Sequence, residues 1–268
     1  MRRAEGKGVD SGARHAAKWP PVTSSELWTR PTAERYDAEE ADRSSAEFLA
    51  PTLDFLAELA GGGPALEFAI GTGRVGVPLR GRGVPVTGIE LSEHTAAVLR
   101  SKADERTLPV VMGDMATTRA PGAGEFTLVY LVYNTITNLL TQDEQVECFR
   151  NAAHHLAPGG RFVIELGLPP LRSLPPGQDA VPFDVSERHL GFDTFDLVEQ
   201  ILVSHHFTRE DDGRYRRDNS RHRYAWPAEL DLMARIAGLA LERRVEDWSG
   251  APFGQDSQQH ISVWRKPL

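Results

Sequence analysis

The apolar positions of this chain change their period along its length. From Ser24 to Gly61 they recur at helical spacing, with Trp28, Tyr36, Phe48, Leu53, Leu56 and Leu59 on the apolar side. Pro31 and Pro51 predict breaks in that stretch, and Gly61-Gly62-Gly63 predicts its end. Short apolar runs then alternate with amphipathic ones. Strands are expected at Ala65–Ile70, Val84–Ile89, Leu108–Met112, Phe126–Tyr133 and Arg161–Glu165. Helices are expected over about Arg74–Arg82, from a Ser92 cap to about Ala103, and behind the capping box Thr141-Gln-Asp-Glu144. Val146, Phe149, Ala153 and Leu156 would form the buried face of the last of these, and Pro158-Gly159-Gly160 would end it. Strand–helix alternation with nearly all-apolar strands implies a parallel sheet covered on both faces.

The pattern changes again after Gly167. A loop with Pro169, Pro170, Pro175 and Pro176 leads into strand-like stretches at Phe183–Leu190, Phe195–Thr208 and Arg214–Trp226. Asp211-Asp212-Gly213 reads as a hairpin turn between the last two. Residues 168–226 are thus expected to form an antiparallel insert, too long for a plain loop. A helix should start at Pro227, bury Leu230, Met233 and Ile236, and close at Gly238. Strands at about Leu239–Trp248 and His260–Arg265 complete a C-terminal hairpin. The expected divisions are an arm at 1–23, N-terminal helices at 24–63, an α/β core at 64–167, the insert at 168–226 and a closing segment at 227–268. The arm is polar and mixed in charge and is expected to be disordered or loose.

Composition narrows the function classes. The 268 residues carry a formal net charge of −8, which argues against a nucleic-acid-binding surface. The single cysteine, Cys148, excludes an internal disulfide and multi-cysteine zinc patterns, and no metal ligand set is expected. It suits a reducing cytoplasm. No apolar run approaches the roughly 20 residues a bilayer span needs, so no membrane partner is expected.

The chemistry is densest at Ala65–Leu79. An apolar strand there ends in Gly71-Thr-Gly73-Arg-Val-Gly76, and a helix follows. Glycines let the backbone turn tightly and approach a ligand, and a helix start offers free N–H groups. The loop satisfies Gly-x-Gly-x-x-Gly, and Glu90 lies about twenty residues on, where a carboxylate can bond ribose hydroxyls. Alone, that suggests a nicotinamide or flavin enzyme. Other features point elsewhere. Glu67 inside the strand would repel a pyrophosphate but tolerate a sulfonium cofactor bearing an amino group. Gly113-Asp114-Met115 follows strand three, where a carboxylate can accept from an adenine amino group. Leu156-Ala-Pro-Gly-Gly160 precedes strand five.

From about Ser24 to its C-terminus the chain resembles the class I S-adenosylmethionine-dependent methyltransferases. Glu67-x-Ala69-x-Gly71-x-Gly73 matches their first motif, with Ala69 where glycine is commoner. Glu90-Leu91-Ser92, Gly113-Asp114-Met115 and Leu156 to Gly160 match three further motifs in order. The resemblance implies a Rossmann-like, seven-stranded, mostly parallel sheet with an antiparallel last strand. It implies S-adenosyl-L-methionine as cofactor. Gly71 and Gly73 would flank its amino acid part, Glu90 and Leu91 its ribose, and Asp114 and Met115 its adenine. Leu131 would offer a backbone carbonyl to its amino group, and Tyr36 would close over it from an N-terminal lid.

The acceptor is less defined. Tyr133-Asn134-Thr135-Ile136 lacks the Asn/Asp-Pro-Pro-Tyr of enzymes methylating DNA amino groups or glutamine. A small molecule is expected, accepting at O or N and less readily at C. The insert would cover it, and the same sheet is a possible homodimer contact. Candidate acid–base groups are Glu165, Tyr133, His205 and His206; the two histidines face opposite sides of a strand. An NAD(P)-dependent oxidoreductase and a non-catalytic S-adenosylmethionine-binding subunit stand as alternatives.

Overall fold

A computed structural model describes residues 28–268. The expected arm at 1–23 and residues 24–27 lie outside the described residues. The N-terminal segment forms α1 (Arg30–Glu39), a 3₁₀ turn (Asp42–Ser44) and α2 (Ala46–Ala60). Pro31 starts a helix rather than breaking one, because the first helical turn needs no N–H donor. Pro51 sits inside α2 without ending it. Phe48, expected among the apolar positions, is exposed on the same helix. Ser45 caps α2 by accepting from Phe48 N, and left-handed Gly61 closes it.

The core then runs β1 (Ala65–Phe68), α3 (Gly76–Gly81), β2 (Val86–Glu90), α4 (Glu93–Arg100), β3 (Val110–Met112), β4 (Phe126–Leu131), α5 (Gln142–His155) and β5 (Leu156–Gly167). Ser92 caps α4 and Thr141 with Glu144 forms the capping box of α5, as the sequence predicts. Helix α5 stops at His155, so Leu156 to Gly160 already belong to β5 instead of ending the helix. Its buried face is Gln145, Cys148, Phe149, Ala152 and His155, rotated slightly from the expected stripe. Cys148 is one of the apolar contacts, and burial pushes its thiol pKa up.

After the core come β6 (Ala180–Val185), β7 (His189–Asp196), β8 (Ile201–Arg209), β9 (Tyr215–Arg223), α6 (Pro227–Ile236), β10 (Ala240–Val245) and β11 (Gln259–Arg265). Seven strands make the main sheet in the order β10-β11-β5-β4-β1-β2-β3. Strands β1 to β5 are mutually parallel where they pair, and β11 runs antiparallel to β5. Strands β6 to β9 form a separate antiparallel sheet in sequential order.

Side-chain alternation splits the main sheet between two cores. Leu66, Phe68, Val129 and Leu131 face α5 and α6. Ala65, Leu128, Tyr130 and Val163 face α2, α3 and α4. The order reverses at β1, whose neighbours are β4 and β2. Ligands of open α/β sheets bind outside the strand ends at such a switch point.

One buried arginine joins the antiparallel sheet to the core. Arg223, at the end of β9, is 5% exposed. Its guanidinium donates to Gln145 Oε1 (2.6 Å), Glu229 Oε1 (2.7 Å) and Gln200 Oε1 (3.2 Å). Gln145 in turn donates to the carbonyls of Ile136, Leu139 and Arg223. The network ties β9 to α5, α6 and the segment after β4. Removing the cation leaves buried Gln145 Oε1 without its donor and Glu229 with only the neutral donors Gln142 and Gln200. Arg223→Met is therefore expected to lower stability by about 3 kcal/mol in urea unfolding. A loss below about 1 kcal/mol would show that the joint is dispensable.

Candidate active site

Above the C-terminal ends of β1, β2 and β4 lies an open cavity. The glycine loop forms its floor, and the loop's geometry follows from steric limits. Gly71 has φ +59, and a Cβ there would find only the Ala69 carbonyl at 3.9 Å, so the residue borders open space. Gly73 has φ +82 and serves packing: a Cβ would stand 2.8 Å from Val77 Cγ2 and 3.2 Å from Leu99. It does not line the cavity. Ala69 also adopts a positive φ, 51°. An L side chain there costs about 1–2 kcal/mol, which gives a physical reason for glycine at this position.

Glu67 lies beneath this loop, 3% exposed. Tyr130 Oη donates to its Oε2 at 2.9 Å. Gly76, the third glycine of the motif, makes room for it: a Cβ there would stand 2.6 Å from Glu67 Oε2. Burial raises the Glu67 pKa to about 8; the Tyr130 hydrogen bond and the charge of Arg74 work against that rise. Arg74, from the same motif, lines the cavity and donates to the Arg43 carbonyl at 3.2 Å. Arg74 stands between two glycines of the motif, and the glycine spacing alone assigns it no role.

Glu90 ends β2 and binds the loop directly. Its Oε2 accepts from Gly71 N (2.7 Å), and its Oε1 accepts from Ser92 N (2.8 Å) and Thr95 Oγ1 (2.8 Å). Of the roughly four lone-pair positions of a carboxylate, one remains on Oε2. Asp114 Oδ1 accepts from Ala116 N at 2.6 Å, which fixes the carboxylate and leaves Oδ2 to the cavity. Leu91 and Met115 line the same end. Leu131, expected to offer a backbone carbonyl, has its side chain in the core, and the next residues, Val132 and Tyr133, line the cavity.

The N-terminal segment closes the cavity from the side. Tyr36 lines it and packs edge-on against Trp28 at 5.1 Å. Asp37 accepts from Thr72 Oγ1 (2.7 Å) and pairs with Lys102 Nζ (2.5 Å). Ser92 Oγ donates to the Trp28 carbonyl at 3.2 Å.

The opposite wall combines the segment after β4 with the antiparallel sheet. Strand β4 stops at Leu131, two residues short of its expected end, because Tyr133 (φ 58) and Asn134 (φ 60) turn left-handed. Tyr133, Asn134, Thr137 and His222 line the cavity. Burial and the nearby Glu40 push the Tyr133 hydroxyl to about 12. His222, on β9, lies 3.2 Å from Thr137 Oγ1 through Nδ1 and 2.8 Å from Ser220 Oγ through Nε2. Burial lowers its pKa to about 4, so it is neutral at pH 7. Sequence reasoning missed His222; the His-x-Arg that ends the strand carried no signal beyond β alternation.

The other acid–base candidates sit elsewhere. Glu165 lies outside this cavity, with its carboxylate bonded to Tyr133 N (2.8 Å) and Trp248 Nε1 (2.9 Å). His205 stacks on Phe192 at 4.7 Å on the far face of the antiparallel sheet. His206 shares the face of His222, because their partners Asp218 and Leu202 alternate in step. It bonds His189 at 3.0 Å, which in turn holds Asp184 at 2.6 Å.

Comparison with known proteins agrees with this geometry. A family profile described as a methyltransferase domain matches residues 65–160. The CcbJ methyltransferase from Streptomyces caelestis is 34% identical, with a TM-score of 0.78 over 88% of this chain and 96% of that one. CalS10, an amino pentose methyltransferase from Micromonospora echinaspora, solved with S-adenosylmethionine bound, shares the fold at 20% identity. Its TM-score is 0.67 over 86% of this chain and 96% of that one. A putative methyltransferase of Geobacillus sp. (strain WCH70) is 26% identical over 163 residues, 59% of this chain and 65% of the relative's own length. No helix among the described residues is long and apolar enough to cross a membrane. The glycine loop, the acidic residues at the ends of β2 and β3 and the similarity to CcbJ over nearly its whole length together place this chain among the class I S-adenosylmethionine-dependent methyltransferases.

Proposed function

We propose that the chain methylates an amine nitrogen of a small-molecule acceptor held between Tyr133, Asn134 and the inner face of the antiparallel sheet. S-adenosylmethionine supplies a methyl group already activated on its sulfonium. The protein's task is to hold and orient, and to manage one proton. A hydroxyl acceptor needs a base to strip its proton, whereas an amine has a nucleophilic free form near neutral pH. The observation that carries the reading is the chemistry of the acceptor wall. The Tyr133 hydroxyl is engaged by Glu40 and Arg43, both ring nitrogens of His222 are engaged by Thr137 and Ser220, and burial keeps the phenol protonated and the imidazole neutral. Both hydrogen bond well, and neither is tuned as a strong base at pH 7.

Within the same reading, Glu67 faces the cofactor's ammonium and Arg74 its carboxylate. Glu90 gives the ribose its one remaining lone pair. Asp114 Oδ2 takes the adenine amino group, Gly71 lets the tail approach, and Tyr36, Leu91 and Met115 wall the nucleoside.

Two measurements follow. In the free protein Glu67 ionises near pH 8, against about 4.5 in the unfolded chain. Between those values the folded state holds the extra proton, so this group's contribution lowers stability as pH rises. An adjacent ammonium favours the carboxylate. S-adenosylhomocysteine binding at pH 7 is therefore expected to release a proton, and its affinity to rise with pH and level off near 8. Calorimetry in buffers of different ionisation enthalpy reads this directly; equal proton release by E67Q would remove Glu67 from the site.

The acceptor reading is tested by supplying S-adenosylmethionine with matched panels of small amines and alcohols and measuring S-adenosylhomocysteine formed. Amines should react, with kcat/KM rising with pH toward the amine's own pKa. His222→Ala should lower kcat/KM for the acceptor up to about tenfold, the worth of one neutral hydrogen bond, with S-adenosylhomocysteine affinity unchanged. Turnover confined to alcohols would contradict the proposal.

A further inference from the structure

Tyr133 and Asn134 are consecutive non-glycine residues in the left-handed region. Such backbone persists only where its surroundings over-determine it. Thr135 and Thr137 close the turn from its C-terminal side, and one residue of β5 holds both of its amide groups. Glu165 Oε2 accepts from Tyr133 N at 2.8 Å, and the Glu165 carbonyl accepts from Asn134 N at 3.2 Å. Its second carboxylate oxygen accepts from the Trp248 indole at 2.9 Å, so the group cannot swing away. Two residues on, Gly167 N donates to Asn134 Oδ1 at 2.6 Å. Parallel pairing of β4 with β5 brings the two strand ends together, with Leu131 opposite Ile164.

The turn decides where the Tyr133 ring stands. The ring separates the cofactor cavity from a second cavity that includes Phe48, Glu165 and Trp248. Its hydroxyl meets Glu40 at 3.2 Å and Arg43, and the guanidinium carbons of Arg43 and Arg74 lie 5.3 and 5.1 Å from its centroid. These contacts are made with the Tyr133 backbone in the left-handed region, where Glu165 holds its amide.

We propose that Glu165 is a positioning residue: clamped by Trp248, its carboxylate fixes the Tyr133–Asn134 turn and so sets the acceptor wall beside the reacting methyl. This rests on the role given to Tyr133 above. It replaces the expectation that Glu165 is itself an acid or base. Both of its oxygens are engaged within the protein, and it faces the second cavity. Glutamine at this position offers a single acceptor oxygen, so one of the two N–H groups meets an amide NH₂ instead.

The chain has five tyrosines, so ¹⁵N-tyrosine labelling gives a short set of backbone amide signals. In E165Q the Tyr133 amide is expected to shift and to exchange with solvent at least tenfold faster, while the Tyr130 amide keeps its protection. Trp248→Phe should move the Tyr133 signal in the same direction by less. S-adenosylhomocysteine affinity should stay within twofold of wild type in both. Turnover with the best acceptor from the amine and alcohol panels should fall at least tenfold in kcat for E165Q, with a smaller change in KM.

An unchanged Tyr133 amide in E165Q would overturn the proposal, whatever the activity. So would equal loosening of the Tyr130 and Tyr133 amides, or full turnover with Tyr133 displaced. The amide and affinity measurements need no acceptor. Failure of wild-type protein to methylate amines would therefore count against the amine reading and leave this test standing.

Discussion

Glu67 is a carboxylate left 3% exposed at the bottom of the cavity, and the loop above is built around it. The side chain occupies the space that a Cβ on Gly76 would take. Tyr130 satisfies one of its oxygens from the neighbouring strand. Burial outweighs both the Tyr130 hydrogen bond and the charge of Arg74, so it carries its proton into the neutral range. A cationic ligand over the loop relieves that condition, whereas a pyrophosphate would aggravate it. The dinucleotide-like spacing of the glycines and the buried acid thus pull toward different ligands, and the acid decides. Glu90 adds the second constraint by accepting from Gly71 N, which fixes the loop against the end of β2.

The acceptor side depends on a different kind of contact. The antiparallel sheet is held against the core by a buried guanidinium with its amide and carboxylate partners. That network reaches the carbonyls of Ile136 and Leu139, in the segment that follows the Tyr133–Asn134 turn. His222 stands one residue before the joint and points into the cavity. Anchoring the sheet at Arg223 therefore also sets the position of His222, and Thr137 meets it from the core side. Two walls that are distant in sequence are brought into register by one arginine.

Much of this was legible in the sequence. The parallel core, the caps at Ser92 and Thr141, the hairpin turn at Asp211 to Gly213 and the helix from Pro227 all follow from local chemistry. The failures have physical causes. The stretch Phe195–Thr208 reads as one strand, yet it turns at Leu197 to Gln200 without glycine or proline. Asp196 makes that turn by accepting from Val198 N and Glu199 N, and Leu197 and Val198 imitate strand positions while standing exposed at the tip. Likewise Phe183–Leu190 divides between β6 and β7. The end of β4 was overrun because tyrosine gives no warning of a left-handed backbone, although asparagine beside it does. His222 was invisible for another reason: which face of an insert meets the cavity depends on how the insert docks. Arg74 could have been found, since a guanidinium inside a glycine loop has few structural duties.

In the proposed arrangement the reacting end of the cofactor opens toward the wall made by Tyr133, Asn134 and His222. A crystal structure with S-adenosylhomocysteine tests it most directly. The homocysteine amine is expected above Glu67, with the sulfur facing the space between the Tyr133 ring and His222. A sulfur directed away from that space, against the core or toward the N-terminal helix, would contradict it.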